Sequence, residues 1–191
     1  IYVGAIDLPN DRKVHKNTMP RLGGLAIYIS FLIGIFIFPP DMVDVWPIVL
    51  GATAIIILGL LDDIFTLSAK GKFLAQIGAA LIPVLAGIQI EYITVPNDIV
   101  IEFGYLAIPI TVFWIVAITN AINLIDGLDG LAAGVSIIAL ITISTLAYSL
   151  GNVVATFIGI LLIGSTLGFL VYNFYPAKIF MGDTGSLFLG Y

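Results

Sequence analysis

Six apolar runs decide what this chain can fold into: residues 22–38, 46–61, 73–90, 103–119, 131–150 and 153–172, none of which contains Asp, Glu, Lys or Arg. Each is 16 to 20 residues long. As helices rising about 1.5 Å per residue, such runs approach the roughly 30 Å of hydrocarbon in a bilayer. Buried helices of a soluble protein would rarely be this free of charge six times over. A mean hydropathy of +1.16 with 10% charged residues places the chain among membrane proteins. The expected fold is all-α: a polytopic transmembrane helix bundle of six full spans, with the start of another after Ser186, forming one domain over 1–191. The small-residue pairs Gly130/Gly134 and Gly164/Gly168 fit close helix packing in lipid. There is no Cys, so disulfide and thiol chemistry are excluded. The chain begins at Ile1 and stops inside an apolar run, which reads as an excerpt truncated at both ends.

Placement of charge matters more than the net charge of −5. Alternating spans put segments 1–21, 62–72, 120–130 and 173–186 on one side. All seven Lys and Arg residues (Arg12, Lys13, Lys16, Arg21, Lys70, Lys72 and Lys178) fall there. The other side carries only acids: Asp41, Asp44, Glu91, Asp98 and Glu102. The positive-inside rule makes the first side cytoplasmic.

That side also gathers the polar motifs. Segment 120–130 reads Asn-Ala-Ile-Asn-Leu-Ile-Asp-Gly-Leu-Asp-Gly. Asn120, Asn123, Asp126 and Asp129 recur every third residue, and Gly127 and Gly130 let the chain leave helical geometry. A helix end opening into a loop of convergent oxygen ligands would suit a hard cation such as Mg²⁺; a capped helix terminus with turn glycines is the plain alternative. Asp62 and Asp63 close the second run, at the partially negative end of a helix and next to each other. Both placements are unfavourable unless a cation or proton transfer compensates, and Lys70 and Lys72 follow closely. Gly182-Asp183-Thr184-Gly185-Ser186 precedes the last apolar run. There Asp183 can cap the coming helix, aided by Thr184 or Ser186, or hold a metal-bound phosphate. Residues 7–16 form a basic loop suited to anionic lipid or to substrate phosphates.

Taken in order, Asp-x-Pro-Asn-x-Arg-Lys-x-His with Pro20-Arg21-Leu22-Gly23-Gly24, Asp62-Asp63, segment 120–130 and Gly182-Asp183-Thr184-Gly185-Ser186 resemble the polyprenyl-phosphate N-acetylhexosamine-1-phosphate transferases. The Arg-Lys-x-His loop looks more like the undecaprenyl-phosphate GlcNAc-1-phosphate transferase branch than the phospho-MurNAc-pentapeptide transferases. The resemblance covers the whole chain, although the family has an earlier span, later spans and a late histidine-bearing loop. It implies transfer of a sugar-1-phosphate from a UDP-N-acetylhexosamine to a polyprenyl phosphate, with release of UMP, to start cell-envelope polymer synthesis. By resemblance Asn123 and Asp183 match Mg²⁺ ligands (Mn²⁺ being the substitute), and Asp62 and Asp63 match the catalytic acidic pair. Asp126, Asp129 and Asn120 then line the nucleotide site, and Arg12, Lys13 and His15 contact substrate phosphates. The implied setting is a multi-pass plasma-membrane enzyme with a cytoplasmic active site. It would contact membrane lipid and no nucleic acid, and a homo-oligomer is compatible with it. A transporter would place ionisable residues inside its spans, and these six have none. A CDP-alcohol phosphotransferase would have an Arg shortly after the first Asp-Gly, and 126–133 has none.

Overall fold

Every apolar run becomes a helix, because a backbone in lipid must satisfy its own N–H and C=O groups. The computed structural model describes residues 6–7, 19–38 and 45–191. Arg12, Lys13 and His15 lie outside the described residues. Within them the helices are α1 Gly23–Ile37, α2 Val45–Phe65, α3 Ala69–Leu85, α4 Ala107–Ile125, α5 Leu131–Ser149, α6 Val153–Asn173 and α7 Gly182–Gly190. Two short antiparallel pairs accompany them: β1 Ile6–Asp7 with β2 Met19–Pro20, and β3 Tyr92–Val95 with β4 Ile99–Glu102. The second pair turns at Asn97 and Asp98, both at positive φ (72° and 56°), in a segment the sequence analysis leaves as a plain connection.

The chain is a helical bundle of the transmembrane type, as expected, but the spans are uneven. Among the described residues four helices are long and apolar enough to cross a membrane: α2, α5, α6 and the continuous segment Gly104–Ile125 that contains α4. The 15 residues of α1 reach only about 22 Å. The 17 residues of α3 include Lys70 and Lys72 near its start. The helices also run past the apolar limits at the polar end. α2 continues through Asp62 and Asp63, and α4 through Asn120 and Asn123. The motif side chains therefore stand on rigid helix ends rather than on loops.

α7 is wedged among α1, α2 and α4. Leu187 and Phe188 bury its apolar face, the Phe188 ring lying edge-on to Tyr28 at 5.2 Å and tilted to Phe31 at 5.7 Å between centroids. Missing side chains let it approach this closely. A Cβ at Gly24 would lie 2.1 Å from the Gly185 nitrogen, and one at Gly59 2.4 Å from Thr184 Cα. The first N–H groups of α1, at Gly23 and Gly24, donate to the carbonyls of Phe180 and Met181 at 3.0 and 2.9 Å. The start of α1 is thus satisfied by the segment that leads into α7.

α5 and α6 pack as an antiparallel pair, with Asn152 Oδ1 accepting from Ala155 N at 3.0 Å to cap α6. They approach closely at Gly159 and Ser144, where a Cβ on Gly159 would meet Oγ at 2.0 Å. Of the expected glycine pairs only Gly130 meets α6, in ordinary contact, with a built Cβ 3.4 Å from Leu170 Cδ1. Gly134, Gly164 and Gly168 have nothing within 4 Å of a built Cβ. Gly164 and Gly168 instead line an open groove between α1 and α6.

Two glycine substitutions separate crowding from helix propensity. Gly24→Ala meets backbone that cannot give way and should lower stability by about 1–3 kcal/mol. Gly78→Ala, in α3 with nothing within 4 Å of a built Cβ, should be neutral or stabilising by up to about 1 kcal/mol. Thermal unfolding of both variants in detergent checks the contrast; equal midpoints would contradict the wedge.

Candidate active site

Two neighbouring carboxylates in the last turn of α2 face different partners, because successive helical residues point about 100° apart. Asp62 Oδ1 accepts from Leu67 N at 2.7 Å and Oδ2 from the Lys72 ammonium at 2.7 Å. Asp63, only 9% exposed, turns to the N-terminus of α7. Its Oδ1 accepts from Asp183 N at 3.0 Å, and its Oδ2 from Thr184 N at 3.0 Å and Thr184 Oγ1 at 2.7 Å. The compensation that two acids at a helix C-terminus require is therefore an ammonium for one and a facing helix N-terminus for the other. Gly182 makes room for this contact. At φ 71° it holds a backbone that side chains disfavour, and a Cβ there would sit 2.6 Å from Asp63 Oδ2.

Asp183 does not cap its own helix; the cap comes from Asp63, with Thr184 Oγ1 as an added donor. Ser186 Oγ bonds back to Gly182 O at 3.0 Å. The Asp183 carboxylate is thereby left to the site. Its Oδ1 accepts from Asn123 Nδ2 at 3.1 Å, and its Oδ2 pairs with Lys72. Asn123 Nδ2 also donates to Ser186 Oγ at 2.9 Å. Lys72 thus bridges Asp62 on α2 and Asp183 on α7.

Segment 120–130 divides into three parts. Asn123, on the last turn of α4, faces Asp183, while Asp126 follows as the C-cap residue. Burial first, then the negative charges of Asp183 and Asp63, push the Asp126 carboxyl up to about 7 against the pull of Arg21. Asn120 points its amide at α3, where Nδ2 donates to Gln76 Oε1 at 2.6 Å and to Val116 O at 2.8 Å. Asp129 Oδ2 accepts from Ala177 N at 2.9 Å. Beside it, Asn173 Oδ1 accepts from Gly130 N at 3.1 Å and Nδ2 donates to Ile179 O at 2.9 Å. Asp129 and Asn173 therefore fasten the connection that delivers α7, and the four oxygens do not converge as one ligand set.

The structure brings Asp62, Asp63, Asn123, Asp126 and Asp183 to one end of the bundle, and commits Asn120 and Asp129 to neighbouring ties. The sequence marks Lys72 only as a nearby charge and does not single out Gln76, Asn173 or the contact of Thr184 with Asp63. For the two amides a signal exists: each is an isolated carboxamide near the end of an apolar helix.

A family model described as glycosyl transferase family 4 matches residues 45–191, which is α2 through α7 and every member of this cluster. The chain belongs to glycosyl transferase family 4. Among curated members, a probable undecaprenyl-phosphate N-acetylglucosaminyl 1-phosphate transferase of Bacillus subtilis is 54% identical over 195 residues, covering 100% of this chain and 54% of the relative. A decaprenyl-phosphate N-acetylglucosaminephosphotransferase of Mycobacterium leprae is 39% identical, covering 97% and 52%. A phospho-N-acetylmuramoyl-pentapeptide-transferase of Staphylococcus carnosus is 40% identical, covering 92% and 60%. The chain spans about half the length of the first two relatives. This family-4 chain is an integral membrane protein.

The donor set suits a hard cation. Among the described residues no three carboxylates or histidines converge closely enough to cage a metal, whereas Asn123 and Asp183 stand side by side. A half-turn of the Asn123 carboxamide exchanges nitrogen for oxygen at the same place, so the pair can present two oxygens to one ion. Mg²⁺ accepts so few protein ligands because it keeps water and takes phosphate oxygens.

Asp126 makes stability depend on pH. Its folded pKa of about 7 exceeds the unfolded value near ~3.9, so the folded state holds the proton more tightly. The resulting stabilisation is complete below the unfolded value and is lost as pH rises through 7. In chelator, Asp126→Asn should therefore gain thermal stability relative to wild type between pH 5 and pH 8. A gap that stays constant or closes with rising pH would contradict the assignment.

Proposed function

We propose that the full-length protein transfers a sugar-1-phosphate from a UDP-sugar, UDP-GlcNAc, to a polyprenyl phosphate at the cytoplasmic face of the plasma membrane. The observation that carries this reading is the meeting of Asp62 and Asp183 on the Lys72 ammonium, with Asn123 on the other Asp183 oxygen, at one end of an apolar bundle. That is the end to which the sequence assigns all seven Lys and Arg residues. The relatives' names, which pair a polyprenyl phosphate with an N-acetylglucosaminyl phosphate, support the substrate classes.

The chemistry asks for placement more than for covalent help. An oxygen of the lipid phosphate attacks the β-phosphorus of the UDP-sugar. The bond from that phosphorus to the bridging oxygen breaks, and UMP leaves with the oxygen and its electron pair. A phosphate monoester with a second pKa near ~6 is already largely dianionic at neutral pH, so Asp62 has little proton to remove. Partly exposed beside Lys72, it orients that ammonium and the incoming phosphate. Asp63, buried and fully engaged by the α7 N-terminus, sets where Asp183 stands. Asn123 and Asp183 would hold Mg²⁺, or Mn²⁺ in its place. When bound, the ion neutralises diphosphate charge as it develops.

A second reading, transfer of phospho-MurNAc-pentapeptide, is favoured by the 40% identity to the Staphylococcus relative. The test is the full-length protein in membranes with polyprenyl phosphate and either labelled UDP-GlcNAc or labelled UDP-MurNAc-pentapeptide. Labelled lipid diphosphate and free UMP are expected from UDP-GlcNAc alone, and only with Mg²⁺ or Mn²⁺. Asp183→Asn should cost about a hundredfold or more in turnover, and Asn123→Ala less, because only Asp183 brings charge. Product from the pentapeptide substrate would assign the second reading. Activity in chelator would remove the metal from the account.

A further inference from the structure

Gln76 has no role in the site as described, yet it is 1% exposed in an apolar bundle. Burying a carboxamide is costly unless its polar atoms find partners. Here the partner is another carboxamide across the α3–α4 contact. Asn120 Nδ2 donates to Gln76 Oε1 at 2.6 Å, and Gln76 Nε2 returns a long contact of 3.5 Å to Asn120 Oδ1. Asn120 is further fixed to its own helix through Val116 O.

The position of this pair gives it meaning. Gln76 lies four residues after Lys72 on α3, and Asn120 three residues before Asn123 on α4. Both spacings keep residues on one helix face, a single turn apart. Lys72 and Asn123 in turn hold the two oxygens of Asp183, one each. The amide pair is therefore a strut one turn inside the membrane from the point where α3, α4 and α7 exchange polar contacts. Apolar packing alone would tolerate sliding of α3 against α4. A hydrogen-bonded amide pair in apolar surroundings specifies one register, because a slip takes the Asn120 partner from Gln76 and leaves Asn120 with only its own-helix bond to Val116 O.

We propose that Gln76 is a positioning residue for the phosphoryl transfer: through Asn120 it fixes the register of α3 against α4, and so places Lys72 and Asn123 on Asp183. This rests on the transferase reading above, and its test keeps the two separable.

The full-length enzyme is prepared as wild type, Gln76→Leu, Gln76→Asn, and Gln76→Asn combined with Asn120→Gln. The steady-state constants for both substrates, the thermal midpoint and the rate of Lys72 reductive methylation by mass spectrometry are measured for each. Gln76→Leu should lower kcat about tenfold or more while the KM values move little and the protein stays folded. Lys72, whose side chain is 18% exposed between its two carboxylates, should be methylated several-fold faster in that variant. The exchanged pair should recover most of the kcat lost in Gln76→Asn. Unchanged Lys72 methylation in Gln76→Leu overturns the proposal whether or not turnover is seen. An exchanged pair no better than the single variant also overturns it. A wild type that releases no UMP from any UDP-N-acetylhexosamine overturns the transferase reading instead, and Lys72 methylation still decides the role of Gln76.

Discussion

The carboxylate of Asp63, held against the first N–H groups of α7, is the contact through which the rest of the polar end is arranged. A helix that begins inside a bundle brings unsatisfied N–H groups with it, and water cannot reach them there. Asp63 satisfies two of these and the Thr184 hydroxyl as well. The acid is misplaced with respect to its own helix, at the negative end of α2, and well placed with respect to α7. The two helix ends correct each other. Because Asp183 N is one of the bound groups, the same contact sets where the Asp183 side chain begins.

From that anchor the other polar groups follow in a short chain. Asp183 receives Asn123 from α4 and Lys72 from α3, and Lys72 reaches back to Asp62 on α2. Four helices thus meet in one hydrogen-bonded set, with Asp126 close enough for its proton affinity to register the surrounding charge. The glycines at 24 and 59 matter to this chemistry only indirectly: they let α7 sit deep enough for its first turn to reach Asp63. A site built on helix ends is stiff, which suits the proposed transfer, since that depends on positioning two anions.

Much of this architecture was legible in the sequence, because membrane spans and charge asymmetry are written in local composition. The apolar runs mark six helices, and the acids and amides at their polar ends mark the site. What could not be read is pairing across the chain. Asp63 and Asp183 are 120 residues apart, and nothing local to either announces that one caps the helix of the other. The spacing of 120–130 suggested four convergent ligands, yet a step of three residues spreads side chains around a helix. Asn120 found Gln76 and Asp129 found Ala177 N. The glycine spacings misled for a related reason, since a small-residue pair permits close packing without requiring it. The β3–β4 hairpin has a signal in two runs of β-branched residues, 93–95 and 99–101, on either side of Pro96, Asn97 and Asp98.

The central claim is that Asp63 is occupied by α7 and that Asp183 is thereby the acid left for the proposed transfer. It is tested most directly by a structure of the full-length protein with Mg²⁺ and a UDP-sugar bound. The account predicts that both Asp63 oxygens remain on Asp183 N and Thr184 N, while Asp183 and Asn123 carry the cation. A structure in which Asp63 has swung onto the cation or the substrate, leaving the α7 N-terminus to another cap, would contradict it.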